Sequence, residues 1–351
     1  MLKQIYSVAR KVYHEFYNIW FHKYKIDLGE GKKWSIFEKI KYNCLGFTNE
    51  DYADFNLKNT DYHDYISFRE RWRLEYLNGR FADILGEKLM FERIFGQFIN
   101  VPHINCWVKN RKCVDLETGN EIGLLSILES KGILIAKPTR SVGGGSGIHK
   151  ISIDEGKYCI DQRAVTAEIL EDTVSRLEEY IVVDYVKQAA YSNDIYAETT
   201  NTIRIVTVRH KNGDYDVVLA FHRFGTDFSR PVDNICSGGI FALVDLDEGK
   251  MSVAKRVTEP NKEYSNHPDS GSAIEGVEIP KWDQLKNKLV QIHKCFPYYT
   301  FLAWDVVLNQ NEEPVILEIN RGCDLNVQVI RPLRKEKIGT FMGEYGLLDN
   351  R

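Results

Sequence analysis

Residues 301–321 read FLAWDVVLNQNEEPVILEINR, two apolar runs joined by a polar linker, and the fold is decided here. Ala303 to Leu308 and Pro314 to Ile319 are rich in Val, Ile and Leu, and Asn309-Gln310-Asn311-Glu312-Glu313 lies between them, which is the pattern of a β-hairpin. A turn centred on Asn311-Glu312 sets Asp305 opposite Glu318, with Cβ atoms roughly 5 Å apart on one face. Asn320 is two residues beyond Glu318, so the period of two returns its side chain to that face. Like charges opposite each other destabilise a strand pair unless a cation sits between them or one stays protonated. An oxygen-only set that leaves room for water and phosphate suits Mg²⁺ or Mn²⁺ better than zinc. The same pattern also fits a solvent-facing hairpin with ordinary surface acids, and the rest of the chain has to decide between them.

With 351 residues the chain exceeds what one core usually supports, so two or three lobes with a cleft between them are expected. A hydrophobic content of 43% with 27% charged residues is that of a soluble globular protein. A net charge of −4 carries no electrostatic footprint for nucleic acid. The cysteines (Cys44, Cys106, Cys113, Cys159, Cys236, Cys295 and Cys323) are odd in number and form no C-x-x-C pair, against both a disulfide framework and a zinc knuckle. No stretch is apolar enough to span a bilayer and no signal-peptide core opens the chain, so a cytoplasmic protein is expected.

Residues 1–26 pair helical periodicity with Lys3, Arg10, Lys11, Lys23 and Lys25 against the single acid Glu15. Such a helix either lies on an anionic membrane surface, at the inner face of the membrane, or docks its aromatic stripe on the body. Residues 34–100 continue mostly helical. Within them a helix begins near Lys88, with Leu89, Phe91, Ile94 and Phe95 on one side, and Lys88 at its start can point at a phosphate. From Val101-Pro102 the pattern changes to strands and reaches Gly132-Ile-Leu-Ile-Ala-Lys137-Pro-Thr-Arg-Ser-Val-Gly143-Gly144-Gly145-Ser146-Gly147. Four glycines and Ser146 in five positions let backbone N–H groups approach an anion, and Lys137 ends the strand before them. A plain hairpin turn is the alternative, although it rarely needs so many glycines.

Tyr180-Ile-Val-Val-Asp184-Tyr185-Val186 is an apolar strand running into polar residues, able to offer the backbone of Asp184 to Val186 to an adenine edge. Asn201-Thr-Ile-Arg204 and the run ending at Arg223 are strand-like, and Asp233-Asn234 followed by Gly238-Gly239-Ile leads into another strand. The polar segment Glu259 to Glu278, with two prolines and two glycines, reads either as a lid or as an ordinary loop.

In this order the features resemble the ATP-grasp superfamily: lysine at a helix start, lysine before a glycine loop, hinge strand, then Asp and Glu-x-Asn on neighbouring strands. More narrowly the chain is similar to the sugar-transfer-associated ATP-grasp proteins found with bacterial surface-polysaccharide genes. Asn201-Thr-Ile-Arg204, Val232-Asp-Asn234 with Gly238-Gly-Ile, His267-Pro-Asp-Ser-Gly271, Ile279-Pro-Lys-Trp282 and Trp304-Asp305 carry that likeness, which covers roughly residues 80–335. It implies an α+β ATP-grasp fold: a mainly helical region over 1–80, a small lobe over 81–186, a large lobe over 187–340 and a tail over 341–351. It implies ATP as cofactor, with Lys88 and Lys137 on the phosphates, the 143–147 loop over them, and Asp184, Tyr185 and Val186 at adenine. Asp305, Glu318 and Asn320 would hold Mg²⁺ or Mn²⁺. D-alanine-D-alanine ligases carry an Arg two residues before the metal Asp, where this chain has Ala303, so Arg204 or Arg321 is expected to meet transition-state charge. Arg223, Asn234, Gly238 and Gly239 are expected at the substrate.

The activity implied is an ADP-forming carboxylate-amine ligase working through an acylphosphate, on a small-molecule or glycan carboxylate and an amine or amino acid. A uronic acid of a surface polysaccharide is the implied acid. A peptide or amino-acid ligase and a nucleotide-binding scaffold without catalysis are the rivals.

Overall fold

Two antiparallel sheets of seven strands each organise this computed structural model, which describes residues 35–140 and 147–351. The expected basic helix of residues 1–26, and Gly143, Gly144, Gly145 and Ser146, lie outside the described residues.

The first sheet contains β1 (Ile104–Lys109), β2 (Lys112–Val114), β3 (Ile133–Pro138), β4 (His149–Asp154), β5 (Lys157–Ile160), β6 (Arg163–Val165) and β7 (Tyr180–Asp184), in the order β2-β1-β7-β3-β4-β5-β6. Burial alternates along β1, with Ile104, Cys106 and Val108 inside, because helices cover one face only. Leu124 and Leu128 of the helix Leu124–Lys131 pack there with Leu170 and Val174 of the helix Ala167–Ser175.

The second sheet contains β8 (Ile203–Arg209), β9 (Tyr215–Phe224), β10 (Ile240–Val244), β11 (Met251–Arg256), β12 (Glu259–Tyr264), β13 (Phe301–Leu308) and β14 (Pro314–Asn320), in the order β12-β11-β10-β9-β8-β13-β14. Every residue of β13 is buried, so its continuous apolar run reflects cover on both faces. Leu302, Trp304 and Val306 pack with Phe91 and Phe95 and with the helix Trp282–Lys294. Phe301 and Ala303 pack on the other face with Tyr42, Phe47 and Leu74 of the N-terminal segment and with Phe341. Each such side chain contributes roughly 1.5–3 kcal/mol by leaving water. Asn78, 3% exposed, ties that segment to the sheet: its Nδ2 donates to Phe301 O at 2.6 Å, and its Oδ1 accepts from Thr300 N and Phe301 N at 2.8 and 3.1 Å. The helices after residue 35 therefore share a core with the second sheet.

The segment 259–278 is an edge strand followed by a tethered loop. His267 stacks on Tyr196 with ring centroids 4.4 Å apart and its Nε2 meets Gly225 O at 2.8 Å, while Ser272 Oγ donates to Asp194 O at 2.6 Å. Held in this way it forms no lid over the cavity described below, which corrects one of the two sequence alternatives in favour of the other. Among the described residues no helix is long and apolar enough to cross a membrane.

Candidate functional site

The hairpin places Asp305 opposite Glu318, with Ala303 opposite Asn320. Nearer the turn the register differs, Val306 facing Ile316 and Leu308 facing Pro314, so Leu317 is an extra residue in β14. The turn thus sits closer to Asn311 than the sequence suggests, and the bulge at Leu317 restores the facing pair. On its other side Asp305 faces Arg204 of β8. Arg204, Asp305 and Glu318 form one row across three strands.

Asp305 is 3% exposed and Arg204 7%. Arg204 holds the acid with two nitrogens, Nε on Oδ1 and Nη2 on Oδ2 at 3.0 Å, the bidentate geometry that guanidinium favours. Arg223 of β9 adds Nη2 at 3.1 Å from Oδ1. Burial pushes the Asp305 pKa up, but the charges of Arg204 and Arg223 outweigh it and hold the carboxyl well below its ordinary range. Asn320 Nδ2 lies 3.3 Å from Asp305 Oδ2 and 3.2 Å from Glu318 Oε1. Its amide therefore stands between the two carboxylates, where a cation would sit. Amide oxygen and nitrogen are interchangeable by a flip, so the three side chains can present three oxygens to Mg²⁺ or Mn²⁺. Among the described residues no group of three or more His, Cys, Asp or Glu converges. Asp305, Glu318 and Asn320 are the residues here that could hold such an ion.

Two buried lysines close the row. Lys88 begins the helix Lys88–Phe95, its N–H donating to Thr139 O at 2.8 Å, and its Nζ lies 4.0 Å from Glu318 Oε2. Lys137 is the penultimate residue of β3, with Nζ 3.4 Å from the carbonyl of the bulge residue Leu317. Burial lowers both pKa values; for Lys137, with Lys88 adding its own charge, the result is about 8. Two cations this poorly solvated are primed to take an anion with several charges.

A cavity of about 350 Å³ joins these groups to the hinge and to the second arginine. Lys88, Lys137, Asp305, Glu318, Asn320, Arg204 and Arg223 line it, as do Asp184, Tyr185 and Val186. β7 ends at Asp184, and residues 185–187 run without strand pairing, which leaves their backbone groups for a planar ligand. The Asp184 carboxylate itself is turned to Asn105 Nδ2 at 2.8 Å and Lys131 Nζ at 3.0 Å. Asn234 also lines the cavity; its Oδ1 accepts from Cys236 N at 3.1 Å. Gly238 and Gly239 do not line it. They build the turn behind Asn234: Gly238 has φ +103°, and a Cβ on Gly239 would lie 2.8 Å from the carbonyl oxygens of Asp233 and Asn234.

Arg321 is not brought to this cluster. It is half-exposed and pairs with Glu75 at 3.5 Å and Asp83 at 3.7 Å, away from the cavity. Sequence reasoning singled out neither Thr202 nor Asp233 nor Asp324, all three of which line the cavity. Asp233 Oδ2 accepts from Thr202 N at 2.9 Å and from its Oγ1, and lies 3.4 Å from Arg223 Nε. For Thr202 and Asp233 the signal was a place inside the quoted Asn201-Thr-Ile-Arg204 and Val232-Asp-Asn234 motifs; Asp324 lies in neither.

The family model described as sugar-transfer associated ATP-grasp matches residues 67–336. Among solved structures, the chain is similar to the ATP-grasp ligase PsnB complexed with minimal precursor, at 13% identity and TM-score 0.42, covering 77% of this chain and 64% of that one. It is similar to N5-carboxyaminoimidazole ribonucleotide synthetase from Thermotoga maritima, at 10% identity and TM-score 0.41, covering 76% and 50%. VanG D-Ala:D-Ser ligase from Enterococcus faecalis is similar at 13% identity and TM-score 0.42, covering 76% and 62%. The chain thus spans less than two thirds of the length of these three structures. Nothing matches among curated proteins. With residues 67–336 matched, the chain belongs to the sugar-transfer associated ATP-grasp family.

Proposed function

We propose that this protein is an ADP-forming carboxylate-amine ligase that uses MgATP and joins an amine to a uronic acid or related acidic component of a bacterial surface polysaccharide. The supporting observation is that one cavity contains an unpaired hinge backbone, two buried lysines, an Asp-Glu-Asn oxygen set, the buried Arg204 and the largely buried Arg223. No simple binding site needs all four. The saccharide acid is suggested by the sugar-transfer association of the family. Because the reaction consumes ATP, we place it in the cytoplasm.

Adenine lies against the backbone of Asp184 to Val186, and Lys88 and Lys137 receive the phosphates. Asp305, Glu318 and Asn320 would hold Mg²⁺, which when bound would neutralise phosphate charge. A substrate carboxylate and a triphosphate repel, so Arg204 and Arg223 lower the cost of bringing them together and meet the charge that develops at the transferring phosphoryl group. They are preorganised for this, since Asp305 fixes both guanidinium groups before substrate arrives. The carboxylate oxygen forms a bond to the γ-phosphorus as the bond to ADP breaks, giving an acylphosphate. An amine then displaces phosphate to leave the amide. Water has to be kept from the acylphosphate, and the glycine loop at 143–147 is placed next to Lys137 in the chain for that task.

The test is ADP release from MgATP with a panel of uronic acids and amino acids, with hydroxylamine added to trap an acylphosphate as a hydroxamate. Acid-dependent ADP release with hydroxamate formation is expected. Tight MgATP binding with no acid-dependent turnover would instead mark a nucleotide-binding scaffold.

A further inference from the structure

The cavity has a second end, beyond the arginines, that the phosphoryl-transfer chemistry does not use. Asp233 is 9% exposed and stands there on the segment between β9 and β10. Its Oδ2 is committed to Thr202 N, Thr202 Oγ1 and Arg223 Nε. Its Oδ1 takes no partner among the described residues, yet it is not a sealed, unsatisfied atom. It is the oxygen open to the cavity that Asp233 lines. Asp324 lines the same cavity with its Oδ1 held by Arg71 Nη1 at 3.1 Å, and Cys236 lies within the field of Asp324, Arg71 and Arg223. Cations face the phosphates at one end, and two carboxylates face the other.

We infer that this acidic end is the subsite for the amine substrate, and that Asp233 both holds its ammonium group and accepts the proton the nitrogen must lose before it attacks. The inference rests on the ligase activity proposed above. A primary amine reaches the site as an ammonium ion, which has no lone pair to offer. Asp233 Oδ1 takes one proton from it. The freed lone pair forms the C–N bond at the acyl carbon, and the C–O bond to the phosphoryl group breaks. Phosphate leaves with that electron pair and with a second nitrogen proton. Amide, hydrogen phosphate and one proton, passed from Asp233 to solvent, complete the balance. Asp233 suits the task by position: Thr202 and Arg223 fix one oxygen while the other stays open, and the same Arg223 reaches Asp305 at 3.1 Å, which places the acceptor beside the phosphoryl-transfer centre. Burial also pushes the Asp233 pKa up, against the pull of Arg223, so its carboxylate is a better base than a surface Asp.

Two measurements on the full chain test this. Hydroxylamine is largely a neutral nucleophile at neutral pH and needs no base, whereas an amino acid or alkylamine does. With the acid found active in the panel, the ratio of amide to hydroxamate formation is expected to fall on the order of a hundredfold in Asp233→Asn. An unchanged ratio overturns the base assignment, whatever happens to the two rates together. Absence of hydroxamate in the unsubstituted protein would refute the ligase reading instead. The second measurement needs no substrate. Cys236 is exposed, so its labelling by the cationic 2-aminoethyl methanethiosulfonate and the anionic 2-sulfonatoethyl methanethiosulfonate, resolved by peptide mass, reports the local field. Asp324→Asn, which removes a charge acting on Cys236, should lower the cationic-to-anionic rate ratio by about tenfold or more, because one unit charge about 4 Å away in water shifts the two reagents in opposite directions by about fivefold each, and Asp233→Asn should lower it in the same direction. If neither variant moves that ratio, the acidic end does not select ammonium groups and the subsite assignment fails.

Discussion

Replacing Asp305 by Asn removes one charge and almost no volume, and the structure sets what that costs. Asp305 is the shared counter-ion of Arg204 and Arg223. Arg223 keeps Thr202 and Asp233, so Arg204, 7% exposed, is the cation left without its partner. Breaking one side of a buried ion pair typically costs about 3–5 kcal/mol, and the amide oxygen of Asn still accepts a hydrogen bond, so ~3 kcal/mol is expected. For a chain of 351 residues, at about 2 cal/mol/K of unfolding entropy per residue, that corresponds to a melting point lower by about 4 °C. The assay is thermal unfolding at pH 7 with EDTA and no nucleotide. Glu318→Gln is the contrast: its carboxyl is 30% exposed with Lys88 4.0 Å away, and its loss should cost under about 1 kcal/mol. Adding Arg204→Met to Asp305→Asn should recover part of the stability, because no buried charge is then left alone, without recovering turnover. If Asp305→Asn melts with the unsubstituted protein, or Arg204→Met fails to restore it, the row across β8, β13 and β14 is not the electrostatic unit described here.

Lys137 titrates at about 8 when folded against its ordinary 10.5. Between those values the unfolded chain binds more protons, so the stability of the nucleotide-free protein should rise with pH across 8 to 10.5, by up to ~3 kcal/mol. Nucleotide binding needs the ammonium form and should move oppositely: MgADP affinity, titrated from pH 7 to 9.5, falls above pH 8, and Lys137→Arg flattens that slope. A slope retained in Lys137→Arg would assign it elsewhere. Arg321→Ala is expected to leave kcat within about twofold, since its partners are Glu75 and Asp83, while Arg204→Lys, which loses the bidentate fork, should cost about 100-fold or more; equal effects would contradict the placement of the two. Asn78→Ala strands three backbone groups of residues 300 and 301 and should cost about 3 kcal/mol in urea unfolding, with Asn78→Asp losing at least as much, because its second oxygen would face the Phe301 carbonyl oxygen in place of the donating amide and a charge would be buried without a counter-ion.

The facing of Asp305 and Glu318 was legible in the sequence because the side-chain period of a strand is a local property of its backbone. Even there the register next to the turn was off by one residue, and only the bulge at Leu317 brought the expected pair together. The same period excludes Arg321: it follows Asn320 directly, so a continued strand would turn it to the opposite face, and that signal lay in the sequence unused. Lys88 and Lys137 were legible as ends of a helix and a strand, each next to a polar turn. What no local pattern contains is which strand lies beside which. Arg204 meets Asp305 because β8 pairs with β13 across 101 residues, and Asp233 reaches Thr202 because the chain after β9 folds back over the start of β8. Tertiary pairing likewise decided that the helices after residue 35 share the core of the second sheet. Periodicity along one segment fixes which way a side chain points; which groups it then meets depends on contacts between segments far apart in the chain, and packing of the whole molecule selects those.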